Sequence, residues 1–409
     1  MTAMEQHPDD TPLIHFVRIP VCDSQFNVLA YELVSCEEDS VKPAVPEIVS
    51  SALTDPRIHD LLNNRPAMIH TCAETLQQLY YDLSFPLNQF WFMCDSNRIS
   101  AMNRNLVCGL KQRGAKLGIS LNQGKLPPLD DDLADEISFF RAPITYYQNS
   151  QSNTLPRDTW LKIASGVDNI SLFQQLQLLD IKGTQGLYLP RPQTTELKRF
   201  PSNKLIALEI LNLVGDINVS FEELEKLIVQ DLQLYYKLLR FINSAYYGFN
   251  RKINNIKEAL IYLGLNTLRS ITLVIALSES TNRSPDLFYL ALNRAKMCEI
   301  LAESSGWSNE SIFFNAGLIS LLDVLLDIPM AMILSELPLS TEIKNAVLHS
   351  EGRTGAALQC AMYYENVDWQ KIVDSQFNKD LAHSAYLEAS RWATALQQSL
   401  MAMADSQEC

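Results

Sequence analysis

The sequence predicts two domains of different class: an abbreviated TIM-type (β/α) barrel over residues 1–192, then an all-helical domain over 204–400, joined by a linker at 193–203. Three observations lead there. Before residue 190, short apolar runs alternate with helix-period segments, the pattern of a parallel α/β architecture. After it, the apolar periodicity is helical almost throughout. Between the two, PRPQTTELKRFPSN (190–203) is polar and punctuated by prolines, as a domain boundary is.

In chain order, strand-like runs fall at 16–22 (FVRIPVC), 28–34 (VLAYELV), 66–70 (PAMIH), 90–94 (FWFMC), 116–121 (KLGISL), 137–141 (ISFFR), 161–164 (LKIA) and 186–189 (GLYL). Helix-period segments at 73–82 and 101–113 lie between them. Residues 36–65 give no clear element, and the barrel reads as shortened there. In the second half, Ser220 and Glu223 have the spacing of a capping box. Leu224, Leu227, Ile228, Leu232, Tyr235, Leu238, Leu239 and Ile242 then recur at three- and four-residue intervals, giving one amphipathic helix or two joined at a kink. Further helices are predicted at 256–263, 266–281, 286–304, 310–326, 329–336, 340–348, 354–364 and 380–403. Gly264, between Leu263 and Leu265, is expected to let helices approach closely. Tyr246, Tyr247 and Phe249 are expected in the core.

Composition narrows the function classes. The chain has 409 residues, 47% hydrophobic and 20% charged, enough for substantial cores. The net charge of −14 is shared evenly between the halves, which argues against a nucleic-acid backbone as partner. The N-terminal MTAMEQHPDDTP is polar and acidic, without the basic and apolar regions of a signal peptide. No apolar run reaches membrane-spanning length, so no membrane contact and a cytoplasmic location are expected. Eight cysteines with no CxxC pair, and only six histidines, predict buried reduced thiols and no metal or other cofactor. No GxGxxG, GxxxxGK[ST] or GxSxG motif occurs.

Two groups of segments carry a resemblance. The opening FVRIPVCDSQFNVLAYELVS resembles the first strand pair of EAL phosphodiesterase domains, in which a strand ends in Glu-Ala-Leu. LIVQDLQLYYKLLRFINSAYYGF (227–249), INNIKEALIYLGLNTLRSITL (253–273) and NAGLISLLDVLLDIPM (315–330) resemble HDOD domains, relatives of the HD hydrolases that lack their activity. AALQCAMYYENVDW (356–369) and YLEASRWA (386–393) fit the same pattern, and together the stretches cover nearly the whole chain. The combination resembles the two-domain EAL–HDOD bacterial signal-transduction proteins.

That resemblance implies a site. EAL hydrolysis uses two divalent cations held by oxygen ligands at the C-terminal ends of barrel strands. Carried over, the Glu of Glu-Ala-Leu is Glu32 and the Asn of the next strand is His70. The second Glu falls on Phe92, the Asp-Asp pair on Ser120 and Leu121, a later Glu on Ser165 and the late Gln on Gln185. The Lys falls on Phe139 or Phe140, with Arg141 close by. One carboxylate and one amide do not hold two metals, so the expectation is a non-catalytic regulator acting through protein partners, with a cyclic-di-GMP receptor without turnover and a residual cyclic-di-GMP phosphodiesterase as the alternatives. The acidic balance and the lost Lys argue further against cyclic-di-GMP binding; a homodimer is compatible with the sequence. In the HD-like half the metal-binding His-Asp doublet is replaced by Ser320 and Leu321. His349 and His383 are expected at surface or capping positions, and the one His-Asp doublet, His59-Asp60, is read as coincidence.

Overall fold

The computed structural model describes residues 16–24, 27–35, 62, 65–82, 86–99, 103–122, 126–148, 156–167, 170–177, 179, 181–186, 220–244, 247–280, 285–326, 328–337 and 339–404. Eight strands close into a barrel in chain order: β1 (Phe16–Cys22), β2 (Val28–Ser35), β3 (Ala67–Thr71), β4 (Phe90–Asp95), β5 (Lys116–Ser120), β6 (Phe139–Pro143), β7 (Leu161–Ser165) and β8 (Gly183–Gln185). The first seven lie within two residues of their predicted positions. The eighth lies earlier than predicted, and residues 187–189 of the predicted run fall outside the described residues.

From β2 to β8 neighbouring strands are parallel, whereas β1 runs antiparallel to both β2 and β8. The reason is the short connection at 23–27: only a crossover of a dozen or more residues can return a chain to a parallel strand. The barrel is complete in its strands, and among the described residues two of its crossover helices are short. Helices α1 (Ala73–Tyr81), α2 (Arg104–Gln112) and α5 (Ile170–Gln177) have two turns or more, but α3 (Asp131–Ala134) and α4 (Ile144–Gln148) have about one. Most of the stretch 36–65 and most of the linker lie outside the described residues.

Strand alternation sorts the side chains. Val21, Ala30, Met68, Trp91, Met93, Phe139 and Ile163 meet inside and fill the lower barrel. Gly118 makes room for one of them, since a Cβ there would stand 2.3 Å from the Phe139 ring. The opposite parity, including Ile69, Phe90, Phe92, Leu117, Ile119 and Phe140, packs outward against the helices.

The second half is helical: α6 (Phe221–Gln230), α7 (Leu232–Ile242), α8 (Ile256–Ser280), α9 (Pro285–Ser304), α10 (Glu310–Ile319), α11 (Leu322–Leu326), α12 (Met330–Glu336), α13 (Thr341–His349), α14 (Gly352–Glu365), α15 (Trp369–Val373) and α16 (Lys379–Ala404). The predicted capping box is formed in both directions: Glu223 N–H donates to Ser220 Oγ, and Ser220 N–H donates to the Glu223 carboxylate. The amphipathic run is two helices, broken where Asp231 turns extended. The predicted helix 310–326 is also broken, because Ser320 closes α10 with its Oγ on the Gly317 carbonyl. Tyr247 and Phe249 pack on the helical core as expected, and Tyr246 is outside the described residues. Among the described residues no single helix is long and apolar enough to cross a membrane.

The two domains share an apolar cluster that runs from the barrel's outer face into α9, α14 and α16. At its edge Arg18 of β1 lies between two rings, its guanidinium carbon 4.2 Å from the centre of Tyr31 and 3.6 Å from that of Tyr289 on α9. A desolvated cation in such a place contributes about 2 kcal/mol.

Gly264 corrects one expectation. It sits inside α8 at φ 76°, ψ 164°, and nothing lies within 4 Å of where a Cβ would be. Its role is therefore the backbone conformation that bends α8, which glycine alone adopts freely, and close helix approach plays no part. Gly264→Ala is expected to lower the stability by about 1–3 kcal/mol in spite of the open space, as measured by denaturant unfolding. An unchanged midpoint would contradict this account.

Candidate functional site

The side chains one layer above the inner plug converge at the C-terminal end of the barrel strands. Glu32 of β2 is the centre. His70 Nε2 of β3 lies 3.1 Å from Glu32 Oε1, and Arg141 Nη2 of β6 lies 3.4 Å from Oε2. The Gln185 amide of β8 also donates to Oε2. Arg141 in turn donates from Nε to Gln185 Oε1 at 3.0 Å and from Nη1 to Ser120 Oγ of β5 at 3.4 Å. The Glu32 side chain is 3% exposed, while that of His70 is 42% exposed and so opens to solvent.

Burial alone pushes the Glu32 carboxyl up. The hydrogen bond from His70, the charge of Arg141 and the Gln185 amide outweigh it, and Glu32 is held below its ordinary value of 4.5. The site therefore presents an ionised carboxylate walled in by donors, with a guanidinium and an imidazole toward the opening.

Of the seven barrel positions expected from the sequence, Glu32, His70, Ser120 and Gln185 meet in this network. Ser165 is paired with Gln185 in the β7–β8 ladder and shares the inward parity of Ile163. Phe92 and Leu121 do not reach the mouth. Phe92 stacks on Phe90 at 5.9 Å in the outer core, while its neighbours Trp91 and Met93 face inward. Leu121 is 1% exposed in the same outer core. The cause in both cases is the two-residue period of a strand, in which a shift of one position exchanges the faces. Met93 takes the inward place in β4 that the sequence reading gave to Phe92.

Two further residues belong here. Arg141 stood in the sequence only as a neighbour of the expected Lys position; the inward parity of Phe139 two residues before it would have found it. Asp95 shares the inward parity of Trp91 and Met93 and pairs in register with Ser120, so it adds a carboxyl-bearing residue at the end of β4.

A pair of divalent cations does not fit this arrangement. Both Glu32 oxygens are engaged, one of them beside a guanidinium. Among the described residues no group of three or more His, Cys, Asp or Glu side chains is placed to share a metal ion.

In the helical half, Ser320 caps α10 and accepts a hydrogen bond from Arg294 Nη1 at 2.9 Å, and Leu321 is 2% exposed in the core. Arg294 is itself buried in an ion pair with Glu365, Nη2 to Oε2 at 2.6 Å. His349 is exposed at the end of α13, as expected. His383 is not at the surface: it is 2% exposed, and its Nδ1 lies 2.6 Å from the Tyr364 hydroxyl. His59 and Asp60 lie outside the described residues.

Residues 200–337 match the HDOD domain family. The chain carries an HDOD domain. Over 237 residues it is 28% identical to the cyclic di-GMP phosphodiesterase CdgJ of Vibrio cholerae serotype O1 (strain ATCC 39315 / El Tor Inaba N16961), covering 56% of this chain and 55% of that protein. It is 26% identical over 214 residues to the protein YuxH of Bacillus subtilis (strain 168), covering 51% of this chain and 52% of YuxH. The chain thus spans about half the length of the curated relatives it matches. A similar solved structure is the FimX EAL domain of Pseudomonas aeruginosa bound to cyclic di-GMP, with 14% identity over 44% of this chain and 90% of that one and a TM-score of 0.33.

Two expectations are corrected by these findings. The expectation of a non-catalytic regulator gives way to the similarity with a protein named a cyclic di-GMP phosphodiesterase. The expectation against cyclic di-GMP as a partner gives way as well. The relative CdgJ is named a cyclic di-GMP phosphodiesterase, and the mouth that was expected to lack a basic side chain holds the Arg141 guanidinium.

The depressed Glu32 carboxyl has a consequence for stability. A group whose folded value lies below its unfolded one stabilises the fold above the unfolded value and loses that contribution as pH falls through the folded one. Against Glu32→Gln, the wild type is expected to hold a stability advantage at pH 6 that shrinks steadily below about pH 4.5. Paired urea titrations across that range measure it, and an advantage independent of pH would contradict the assignment.

Proposed function

We propose that the barrel mouth binds cyclic di-GMP and opens one of its phosphodiester bonds, in a barrel of EAL type attached to an HDOD domain. The observation that carries the reading is the placing of Arg141 and His70 around a buried, ionised Glu32 at the mouth of the barrel. A guanidinium fork suits the two free oxygens of a phosphodiester. The imidazole, with one nitrogen turned to Glu32, keeps its second nitrogen for a proton. In this reading His70 takes the proton of the attacking water as its oxygen bonds to phosphorus. The bond from phosphorus to the ribose oxygen breaks, and His70 returns the proton to that oxygen; Glu32 holds the ring and balances its charge meanwhile. The product is the linear dinucleotide. The likeness to CdgJ supports the choice of substrate. A cytoplasmic location, and protein partners for the HDOD domain, belong to the same proposal.

Chromatography of cyclic di-GMP incubated with the full chain tests it. The wild type is expected to yield the linear dinucleotide, and His70→Gln to lose about 10²–10⁴-fold in rate. Arg141→Met is expected to weaken binding by about 1.5–3 kcal/mol, the scale of a hydrogen bond to a charged group. A wild-type chain that neither converts nor binds the nucleotide would refute the reading.

A further inference from the structure

The strand that carries Glu32 into the mouth carries Tyr31 out of the opposite face. Tyr31 is 3% exposed, and its hydroxyl donates to Asp286 Oδ1, at the start of α9, at 2.5 Å. Its ring holds the Arg18 guanidinium, which is covered on its other side by Tyr289 of the same helix. The Arg18 backbone N–H points to the Tyr386 hydroxyl of α16 at 3.5 Å. Arg18 pairs with Leu33 across the β1–β2 ladder, and Ile19 pairs with Glu32. Both strands of this hairpin are thus fastened to the helical domain within one residue of the mouth carboxylate.

Each fastening needs the others. A buried cation is tolerable because rings and a carboxylate surround it. Burial pushes the Asp286 carboxyl up, and the Tyr31 hydroxyl and the Arg18 charge work to keep it ionised. Removing one member leaves a polar group uncompensated in a dry place and loosens the hairpin. The Glu32 side chain must meet partners from three other strands, and hydrogen bonds tolerate displacements of only a few tenths of an ångström.

We propose that Asp286 and Tyr289 of the helical domain are positioning residues for the barrel mouth: by clasping Tyr31 and Arg18 they set where the β1–β2 hairpin places Glu32. The helical domain then governs the affinity of the mouth for its anionic ligand across the domain boundary. The ligand in this statement rests on the function proposed above; the joint itself does not.

Hydrogen exchange of the full-length chain, read by mass spectrometry, tests the joint without any ligand. In Asp286→Ala, amides of residues 28–35 and 67–71 are expected to exchange about tenfold faster, while those of 310–319 keep the wild-type rate. Asp286→Asn, which keeps an acceptor for Tyr31, is expected to recover most of the protection. Tyr31→Phe, a milder change that removes one hydroxyl, is expected to move the same segments in the same direction. Calorimetry with cyclic di-GMP on the same proteins is expected to show an affinity about tenfold weaker in Asp286→Ala and near wild type in Asp286→Asn. Local acceleration in a wild-type background that binds no nucleotide supports the joint and sinks the proposed function. Wild-type exchange at 28–35 in both Asp286→Ala and Tyr31→Phe, or equal acceleration of 28–35 and 310–319, overturns the joint.

Discussion

A carboxylate that is 3% exposed must be compensated or lose its charge, and in this protein the compensation of Glu32 organises the barrel mouth. No single strand could supply it. The imidazole comes from β3, the guanidinium from β6, the amide from β8, and the hydroxyl that steadies the guanidinium from β5. Only closure of the sheet brings these together, so folding of the barrel and assembly of the site are one event. Below this layer the inner plug of apolar side chains excludes water from one side. Above it the half-exposed His70 meets solvent. The polarity gradient along the barrel axis is what turns a buried charge into a site.

The helical domain solves a similar problem by similar means. Arg294 and Glu365 are buried together, and Ser320 accepts a further hydrogen bond from the guanidinium. Losing one partner of such a pair is costly, because the other is stranded. In both halves an arginine–carboxylate contact, supported by a serine hydroxyl, stands at a position where the family resemblance would lead one to look for a metal. The Arg18 clasp between the domains is a third buried guanidinium, held by rings.

Much of the architecture is legible in the sequence because it depends on local pattern. Seven strands, the capping box at Ser220 and the run of helices all follow from periodicity and end signals. Most of the mouth was legible for a different reason: Glu32, His70, Ser120 and Gln185 sit at strand ends, where a resemblance can be laid down one strand at a time. Phe92 was misplaced because a resemblance does not count parity, and one step along a strand crosses the sheet. Leu121 was misplaced in the same way. Arg141 was passed over as a neighbour for the same reason. Gly264 was assigned the wrong role because sequence shows that a glycine is needed without showing whether space or backbone needs it. His383, and the contacts from Tyr31 to Asp286 and from Arg18 to Tyr386, were invisible. The last two join residues 255 and 368 positions apart, which no local rule brings together.

At the barrel mouth side chains, rather than bound cations, balance the Glu32 charge. Electron paramagnetic resonance of the full chain titrated with Mn²⁺, beside Glu32→Gln, tests this most directly. No spin-coupled manganese pair is expected, and uptake is expected to be equally weak in both proteins. A coupled pair in the wild type that vanishes in Glu32→Gln would contradict it.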